Sequence, residues 1–162
     1  MTSEIPKGLG ARMVRTLPAV LLALVLFSAC ENRQDGMKDG FYTAEAAEFD
    51  KYGWKEYITI YVSGDTIITV DYNAKNASGF IKSWDMEYMR LMNASDGTYP
   101  NKYTREYSAG LLNRQDPDKV DVIAGASHSH ASFQRLAKAA IARSRAGDQN
   151  VAFEDLRGVS GE

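Results

Sequence analysis

The residues best suited to chemistry in this chain lie at positions 121–129, where a short apolar run leads through small residues to hydroxyls, DVIAGASHS. Gly125 and Ala126 have side chains small enough to let the backbone approach a ligand closely. Ser127 and Ser129 place hydroxyls at the start of a predicted helix, where unpaired N–H groups and the helix dipole favour an anion. The pattern predicts a phosphate-binding turn, with an ordinary serine-capped helix start as the alternative.

Two other chemistries fit this segment less well. His128 and His130 are the only histidines, and with no cysteine nearby only carboxylates could complete a zinc site. As a hydrolase nucleophile, Ser127 lacks the glycines of the Gly-x-Ser-x-Gly turn, and the adjacent His128 is poorly placed as its base. We therefore expect neither a metal site nor hydrolysis, and we expect both histidines to be exposed in the turn that opens the helix.

A second group of residues could hold a planar ligand. Lys82 adjoins an apolar helix face, where a cation could stabilise the reduced, anionic ring of a flavin, although a solvated lysine is the simpler interpretation. Aromatic and methionine side chains follow it, and at helical spacing such residues belong to a core more often than to a ligand site. These residues are Trp84, Met86, Tyr88, Met89, Met92, Tyr99, Tyr103 and Tyr107.

The N-terminus carries an export signal. Basic residues precede an apolar run at positions 17–27, and small residues close it before Cys30, which is typical of a secretory signal peptide over residues 1–29. The run is shorter than the roughly 20 residues that span a bilayer as a helix, which disfavours a retained transmembrane anchor. The ending LFSAC resembles a bacterial lipobox, and Cys30, the only cysteine, has no disulfide partner. We expect Cys30 to be lipidated, with cleavage by the general signal peptidase as the alternative.

The exported part of the chain is small and acidic. Removing the signal takes away one acidic and three basic residues, which shifts the formal net charge from −2 to about −4. This charge argues against a nucleic-acid surface. The remaining chain of about 130 residues suffices for one domain with its own core. With no further cysteine, that domain must be stabilised by packing alone.

The elements that position the candidate residues follow from periodicity. Polar residues 30–38 form a lipidated tether, and a turn at residues 39–44 leads into a first strand. Residues 57–62 alternate as a half-buried strand does, and a turn at residues 63–65 leads into a return strand, which predicts a hairpin. The inward residues are Ile58, Ile60 and Val62 on one strand and Ile68, Val70 and Tyr72 on the other.

Helical spacing dominates the second half of the chain. It predicts one helix from position 81 to near 93, a second to about 113, a short strand at 120–123 and a last helix that stops at Gly147. This succession indicates a single α+β domain, a small and mostly antiparallel sheet packed with three helices. Residues 148–162 are predicted to be a loose tail. The inward residues of the last helix are Phe133, Leu136, Ala140 and Ile141.

Five pieces of sequence occur in a fixed order: Asp39-Gly40-x-Tyr42-x-Ala44, the Gly64 turn followed by Ile67 and Val70, Asn76-x-x-Gly79-x-x-Lys82, Tyr99-Pro100, and Asp121-x-x-x-Gly125-Ala126-Ser127-x-Ser129. In this order they resemble the FMN-binding domain family. That family includes exported flavin subunits of the sodium-pumping quinone reductase and of the Rnf complex, and small flavin-bearing lipoproteins. The resemblance covers residues 39–147 and is closest to the stand-alone lipoproteins.

The resemblance implies that FMN is the cofactor. By position it assigns FMN binding to Gly125, Ala126, Ser127, Ser129, Asp121 and Lys82. In many members a transferase that takes FMN from FAD joins the phosphate to the threonine hydroxyl that follows Gly-Ala, and the matching residue here is Ser127. Ala124 stands where serine or threonine is usual, so covalent and noncovalent attachment both stay open.

The resemblance also implies a role. The expected protein is an electron carrier, not a complete enzyme, lipid-anchored outside the cytoplasm to the cell membrane or the outer membrane. It would pass electrons between a membrane donor, such as a redox protein or quinone system, and an extracytoplasmic acceptor. The alternative is a surface lipoprotein with the same fold that binds no flavin and serves as a ligand-binding or interaction module.

Overall fold

A computed structural model of the chain describes residues 1–2 and 36–158. Nearly all of the predicted signal peptide, the predicted lipidation site Cys30 and the last four residues lie outside the described residues. The chain divides into two units, Met1–Gln34 and Asp35–Glu162, and the strands and helices given below belong to the second unit. Within the described ranges, no helix has the length and hydropathy needed to cross a membrane.

One four-stranded sheet and three α-helices form this unit, which confirms the predicted α+β class with a mostly antiparallel sheet. The strands are β1 (Gly40–Ala46), β2 (Lys55–Ser63), β3 (Thr66–Lys75) and β4 (Ala152–Glu154). The helices are α1 (Met86–Asp96), α2 (Pro100–Arg114) and α3 (Ser127–Ala146). The strand order is β3-β2-β1-β4, in which β4 runs parallel to β1 and the other neighbours are antiparallel.

The predicted hairpin is confirmed as β2 and β3, joined by Gly64 and Asp65 with φ of 58° and 60°. Positive φ at both positions gives the turn the twist that a two-residue hairpin needs. The inward residues of β2 are buried as predicted, but on β3 Ile67 is buried in place of Ile68. The register passes from Val62 opposite Ile67 to Tyr61 opposite Thr69. Ile68 is thus the extra residue of a β-bulge, which shifts the alternation by one position.

The predicted positions of the helices agree with the structure to different degrees. The last two predicted helices are confirmed as α2 and α3, and α3 ends at Gly147, whose φ is 70°. The first begins later than predicted, because a 3-10 turn at Lys82–Trp84 comes before it. Asp85 then caps α1 by accepting a hydrogen bond from the Tyr88 N–H at 2.9 Å. No residue of α1 is fully buried, although Met92 packs against the edge of the core.

Two further predictions are wrong. Residues 120–123 do not form a strand: the Val120 N–H donates to the Pro117 carbonyl, and the Ile123 N–H donates to the Tyr107 hydroxyl. These partners belong to a loop and a helix side chain, so the segment never reaches the sheet. The C-terminal tail is not loose throughout, because β4 adds its backbone hydrogen bonds to the edge of β1. An edge strand with unpaired N–H and C=O groups can order a short segment in this way.

An aromatic cluster fills the core between the sheet and the helices. Tyr107 stacks on Phe133 with ring centres 5.2 Å apart, and Tyr72 meets Phe133 edge-on at the same distance. The Tyr107 hydroxyl donates to the Ala126 carbonyl at 3.0 Å and accepts from the Ile123 N–H at 3.2 Å. Tyr107 therefore ties the turn before α3 to α2, which fixes where that turn lies.

Tyr107→Phe should lower the free energy of unfolding by about 1–2 kcal/mol, because it leaves the Ile123 N–H without its partner and removes one of the two hydrogen bonds that the Ala126 carbonyl accepts, the other coming from the His130 N–H. Urea denaturation followed by circular dichroism would measure the change. Tyr61→Phe is the matched control: this ring packs on Phe41 on the outer face of the sheet, and its hydroxyl makes no hydrogen bond within the described residues. A loss in Tyr107→Phe no greater than in the control would show that the two hydrogen bonds contribute little.

Candidate functional site

A cleft of 1110 Å³ opens between the first turn of α3, helix α1 and the loop that joins β1 to β2. Small-molecule sites typically measure about 300–1,000 Å³, so this space is sufficient for a nucleotide-sized ligand. Lys82, Tyr103 of α2 and residues 155–158 after β4 complete its walls. Segments from across the described chain thus meet around one space, which we call the cleft.

The first turn of α3 faces the cleft without a side-chain cap. Its N-cap residue is Ala126, and no side chain accepts a hydrogen bond from the first N–H groups. The alternative of a serine-capped helix is therefore wrong, because Ser127 is the first helical residue and its side chain is exposed. His128 and Ser129 of the same turn line the cleft. An uncapped helix start carries partial positive charge and free donors, which attract an anion.

Gly125 and Ala126 hold this turn in place. Gly125 has φ of 78°, and a Cβ atom built on it would lie 2.3 Å from the carbonyl oxygen of Asp96 and 3.0 Å from Cγ2 of Thr98. The close backbone approach expected here is therefore made to the end of α1 and the residues just after it, although Gly125 and Ala126 also line the cleft. Ala126 is 3% exposed. The small side chains let two segments pack together and leave the helix start open.

Lys82 forms a buried, positively charged part of the cleft. It is 7% exposed, so the interpretation as a solvated lysine is wrong. Its Nζ lies 4.9 Å from the ring centre of Tyr88 and 5.8 Å from that of Trp54. No carboxylate of the described chain comes within 4.0 Å of this ammonium group. Contact with two aromatic faces stabilises a cation only partly, so an anionic ligand in the cleft would gain from this charge.

The apolar side of α1 forms one wall of the cleft. Tyr88, Leu91 and Met92 line it, together with Trp54 from the loop that leads into β2. The Trp54 and Tyr88 rings meet edge-on with centres 6.1 Å apart. The other aromatic residues differ in their surroundings. Tyr103 and Tyr107 are buried in the core, as expected, although Tyr103 also reaches the cleft, whereas Trp84 is 64% exposed. A wall of this kind suits a flat, apolar ring.

Glu56 is the residue of the cleft that the sequence analysis missed. It lies on β2 in phase with Ile58 and Ile60, so its carboxyl group points to the same side and lines the cleft. Burial raises the pKa of this carboxyl, while a hydrogen bond from Ser132 and the charge of Lys82 oppose the rise. The sequence signal that could have identified this residue is its position: Glu56 is an acidic residue two places before Ile58, in the inward phase of the alternating strand.

Asp121 and the histidines stand apart from their predicted positions. Asp121 does not line the cleft: its side chain is 93% exposed and lies 3.9 Å from Arg114, because residues 121–123 run outside the sheet. His130 is half-buried, with Nε2 2.8 Å from the Val120 carbonyl oxygen, so only His128 is exposed as expected. In the described ranges, no three histidine, cysteine or acidic residues cluster in a way that could hold a metal ion.

The described residues form a small α+β domain in which the uncapped first turn of α3 faces an open cleft. No protein-family profile matches the chain. It is 37% identical over 131 residues to the 15 kDa lipoprotein of Treponema pallidum (strain Nichols), an alignment that covers 81% of this chain and 88% of that protein. The chain belongs to the family of this lipoprotein.

A solved structure shares the fold. The crystal structure of a Clostridium perfringens protein from a structural genomics programme superposes with a TM-score of 0.71 at 32% sequence identity. The superposition covers 74% of this chain and 98% of the clostridial chain. The match therefore extends over nearly the whole of that smaller protein, which shares the α+β fold.

Proposed function

We propose that the chain is an exported, lipid-anchored FMN-binding protein that carries electrons. One observation supports the proposal above others: a buried lysine without an ion pair and an uncapped helix start face the same cleft. Two separated positive features suit a ligand that has a phosphate at one end and an electron-accepting ring at the other. FMN has this form, and the resemblance of the sequence to FMN-binding domains names it.

The residues present fit such a ligand. The N–H groups at the start of α3, with the hydroxyl of Ser129, would hold the phosphate. Ser127 is exposed and does not line the cleft, but it adjoins this helix start and its hydroxyl is open to solvent. Tyr88 and Trp54 would lie against the ring, and Lys82 would provide a positive charge beside it. When bound, the flavin supplies the electron transfer, while the protein positions it and adjusts its electrostatic surroundings. Asp121 has no place in this arrangement.

The anchor and the partners belong to the same proposal. Membership in a lipoprotein family agrees with lipidation of Cys30, which would hold the domain beside a membrane outside the cytoplasm. Electrons would come from a membrane redox protein or quinone system and leave to an extracytoplasmic acceptor. A tethered carrier loses no cofactor to the medium if FMN is bonded to it, and an FMN transferase would make that bond.

Protein purified from a host that exports it and expresses an FMN transferase tests the proposal. Yellow colour with a flavin absorbance spectrum, or uptake of added FMN with quenching of its fluorescence, is the expected result. A colourless protein that leaves FMN fluorescence unchanged would contradict it. That result would favour the alternative, a binding or interaction module without flavin. The departures from the family pattern at Ala124 and Ser127 support this alternative.

Covalent attachment is tested separately by intact mass. We expect the wild type to carry one FMN increment and Ser127→Ala to lack it, because the exposed Ser127 hydroxyl is accessible to a transferase at an open helix start. Ser129→Ala is the control and should keep the increment, since this side chain is half-buried. An increment that survives in Ser127→Ala would assign the bond to another hydroxyl, and colour without any increment would show noncovalent binding.

A further inference from the structure

The hydroxyl of Tyr72 has one hydrogen but two acceptors. Its Oη lies 2.8 Å from the Ser129 carbonyl oxygen and 3.0 Å from Glu56 Oε1. The hydroxyl donates to one oxygen only, and a carbonyl never donates. Both contacts are hydrogen bonds at the same time only when the Glu56 carboxyl carries a proton and donates it to Tyr72. The geometry therefore favours a neutral carboxylic acid at Glu56.

The charges around Glu56 agree with this assignment. No lysine or arginine nitrogen lies within 4.0 Å of its carboxyl among the residues that the structure describes. Lys82 acts on it through space, and Asp50 of the β1–β2 loop adds an opposing negative charge. Desolvation is the largest influence on its pKa and raises it. The other titratable groups that face it are the phenols of Tyr72, Tyr88, Tyr103 and Tyr107.

We propose that Glu56 controls the affinity of the cleft for anions through its own protonation. As a neutral acid, it leaves the charge of Lys82 available to an anionic ligand. As a carboxylate, it competes with that ligand for the same charge. The inference rests on the proposed function and deepens it. When an anionic ligand adds negative charge to the cleft, the Glu56 carboxylate takes up one proton from solvent. No bond within the ligand changes.

FMN binding to wild type and Glu56→Gln at pH 5 to 9 tests the inference, with the dissociation constant taken from fluorescence quenching. We expect equal affinities at the acidic end and at least about tenfold weaker binding by the wild type at the alkaline end, because one added charge as far as roughly 12 Å from the ligand in a partly buried site already has an effect of this size. Any other group of the protein or of FMN that titrates in this range is present in both measurements. The ratio of the two constants therefore isolates Glu56, and a ratio that stays constant with pH would overturn the inference.

A measurement without ligand separates this inference from the proposed function. A carboxyl whose pKa is raised by folding adds stability that is complete below its ordinary value of 4.5 and is lost as the pH rises through the raised value. Urea denaturation should thus show the wild type losing stability relative to Glu56→Gln above pH 4.5. If the wild type and Glu56→Gln bind FMN with the same dependence on pH, the inference about Glu56 is wrong and the proposed function stands. If FMN binds neither, the inference fails with the proposed function.

The wild type alone provides a check if Glu56→Gln does not fold. Carbon-13 NMR of glutamate-labelled protein follows the Glu56 carboxyl through a pH titration. A midpoint above that of the exposed glutamates, moved further upward by bound FMN, is the expected result. A midpoint at the ordinary value would overturn the inference.

Discussion

Gly125→Ala should lower the free energy of unfolding by about 3 kcal/mol, near the upper end of what single substitutions cost. Two physical causes add. An alanine held at φ of 78° costs roughly 1–2 kcal/mol, because its Cβ approaches the following carbonyl oxygen. In addition, the new methyl group would lie 2.3 Å from the carbonyl oxygen of Asp96, so backbone must move against backbone.

Gly79→Ala separates these two causes. Gly79 has φ of 84°, and a Cβ atom built on it meets nothing within 4 Å. This control should therefore cost only about 1–2 kcal/mol from the conformation itself. Urea denaturation of the three proteins gives the comparison. Equal losses in the two variants would show that the turn before α3 moves away from Asp96 without cost, and that its packing does not fix the start of the helix.

The sheet was predictable because alternation along a strand has a simple physical cause. Side chains of β2 point alternately to core and solvent, so Ile58, Ile60 and Val62 indicated both the strand and its inward face. The prediction for Ile68 failed one strand later because a β-bulge inserts a residue that the sequence does not mark. Glu56 was missed for a different reason: the predicted strand begins at residue 57, because an acidic residue does not extend an alternation of apolar side chains.

Helix α1 shows why the site was harder to predict than the fold. The apolar spacing of Tyr88, Leu91 and Met92 was correct for a helix, but spacing identifies only an apolar face and not what covers it. Here that face lines a cleft and no residue of the helix is buried. Likewise, Lys82 was recognised as a candidate, yet its burial depends on Trp54, which approaches it from another part of the chain.

Lys82→Met should make the ligand-free protein more stable, by about 1–2 kcal/mol, although it alters the candidate site. A buried charge without a counter-ion costs desolvation free energy that its aromatic contacts only partly offset. Methionine keeps the unbranched length that packs on Trp54 and Tyr88 and removes the charge. Sites that bind charged ligands commonly reduce stability in this way. Urea denaturation without FMN measures the change, and a loss of stability would show that the ammonium group is well solvated or paired.

The same substitution should weaken the effect of the protein on a bound flavin. If FMN binds with its ring beside Lys82, at an assumed distance of about 5–6 Å, the ammonium charge would contribute roughly 3 kcal/mol to the reduced, anionic form in a partly buried site. For a two-electron couple this corresponds to a midpoint potential about 60 mV lower in Lys82→Met, measured by spectroelectrochemical titration.

Lys75→Met is the matched control for both effects. Lys75 also lies over a tyrosine ring, that of Tyr57 at 5.4 Å, but it pairs with Glu45 at 2.6 Å and does not line the cleft. Its substitution should leave the potential unchanged and should not stabilise the protein. If Lys75→Met and Lys82→Met shift the potential equally, the net charge of the domain is responsible and Lys82 has no particular place beside the ring. The expected result is a potential shift in Lys82→Met alone, together with a gain in its stability without FMN. This result would mean that the unpaired, buried lysine destabilises the fold but stabilises the bound ligand.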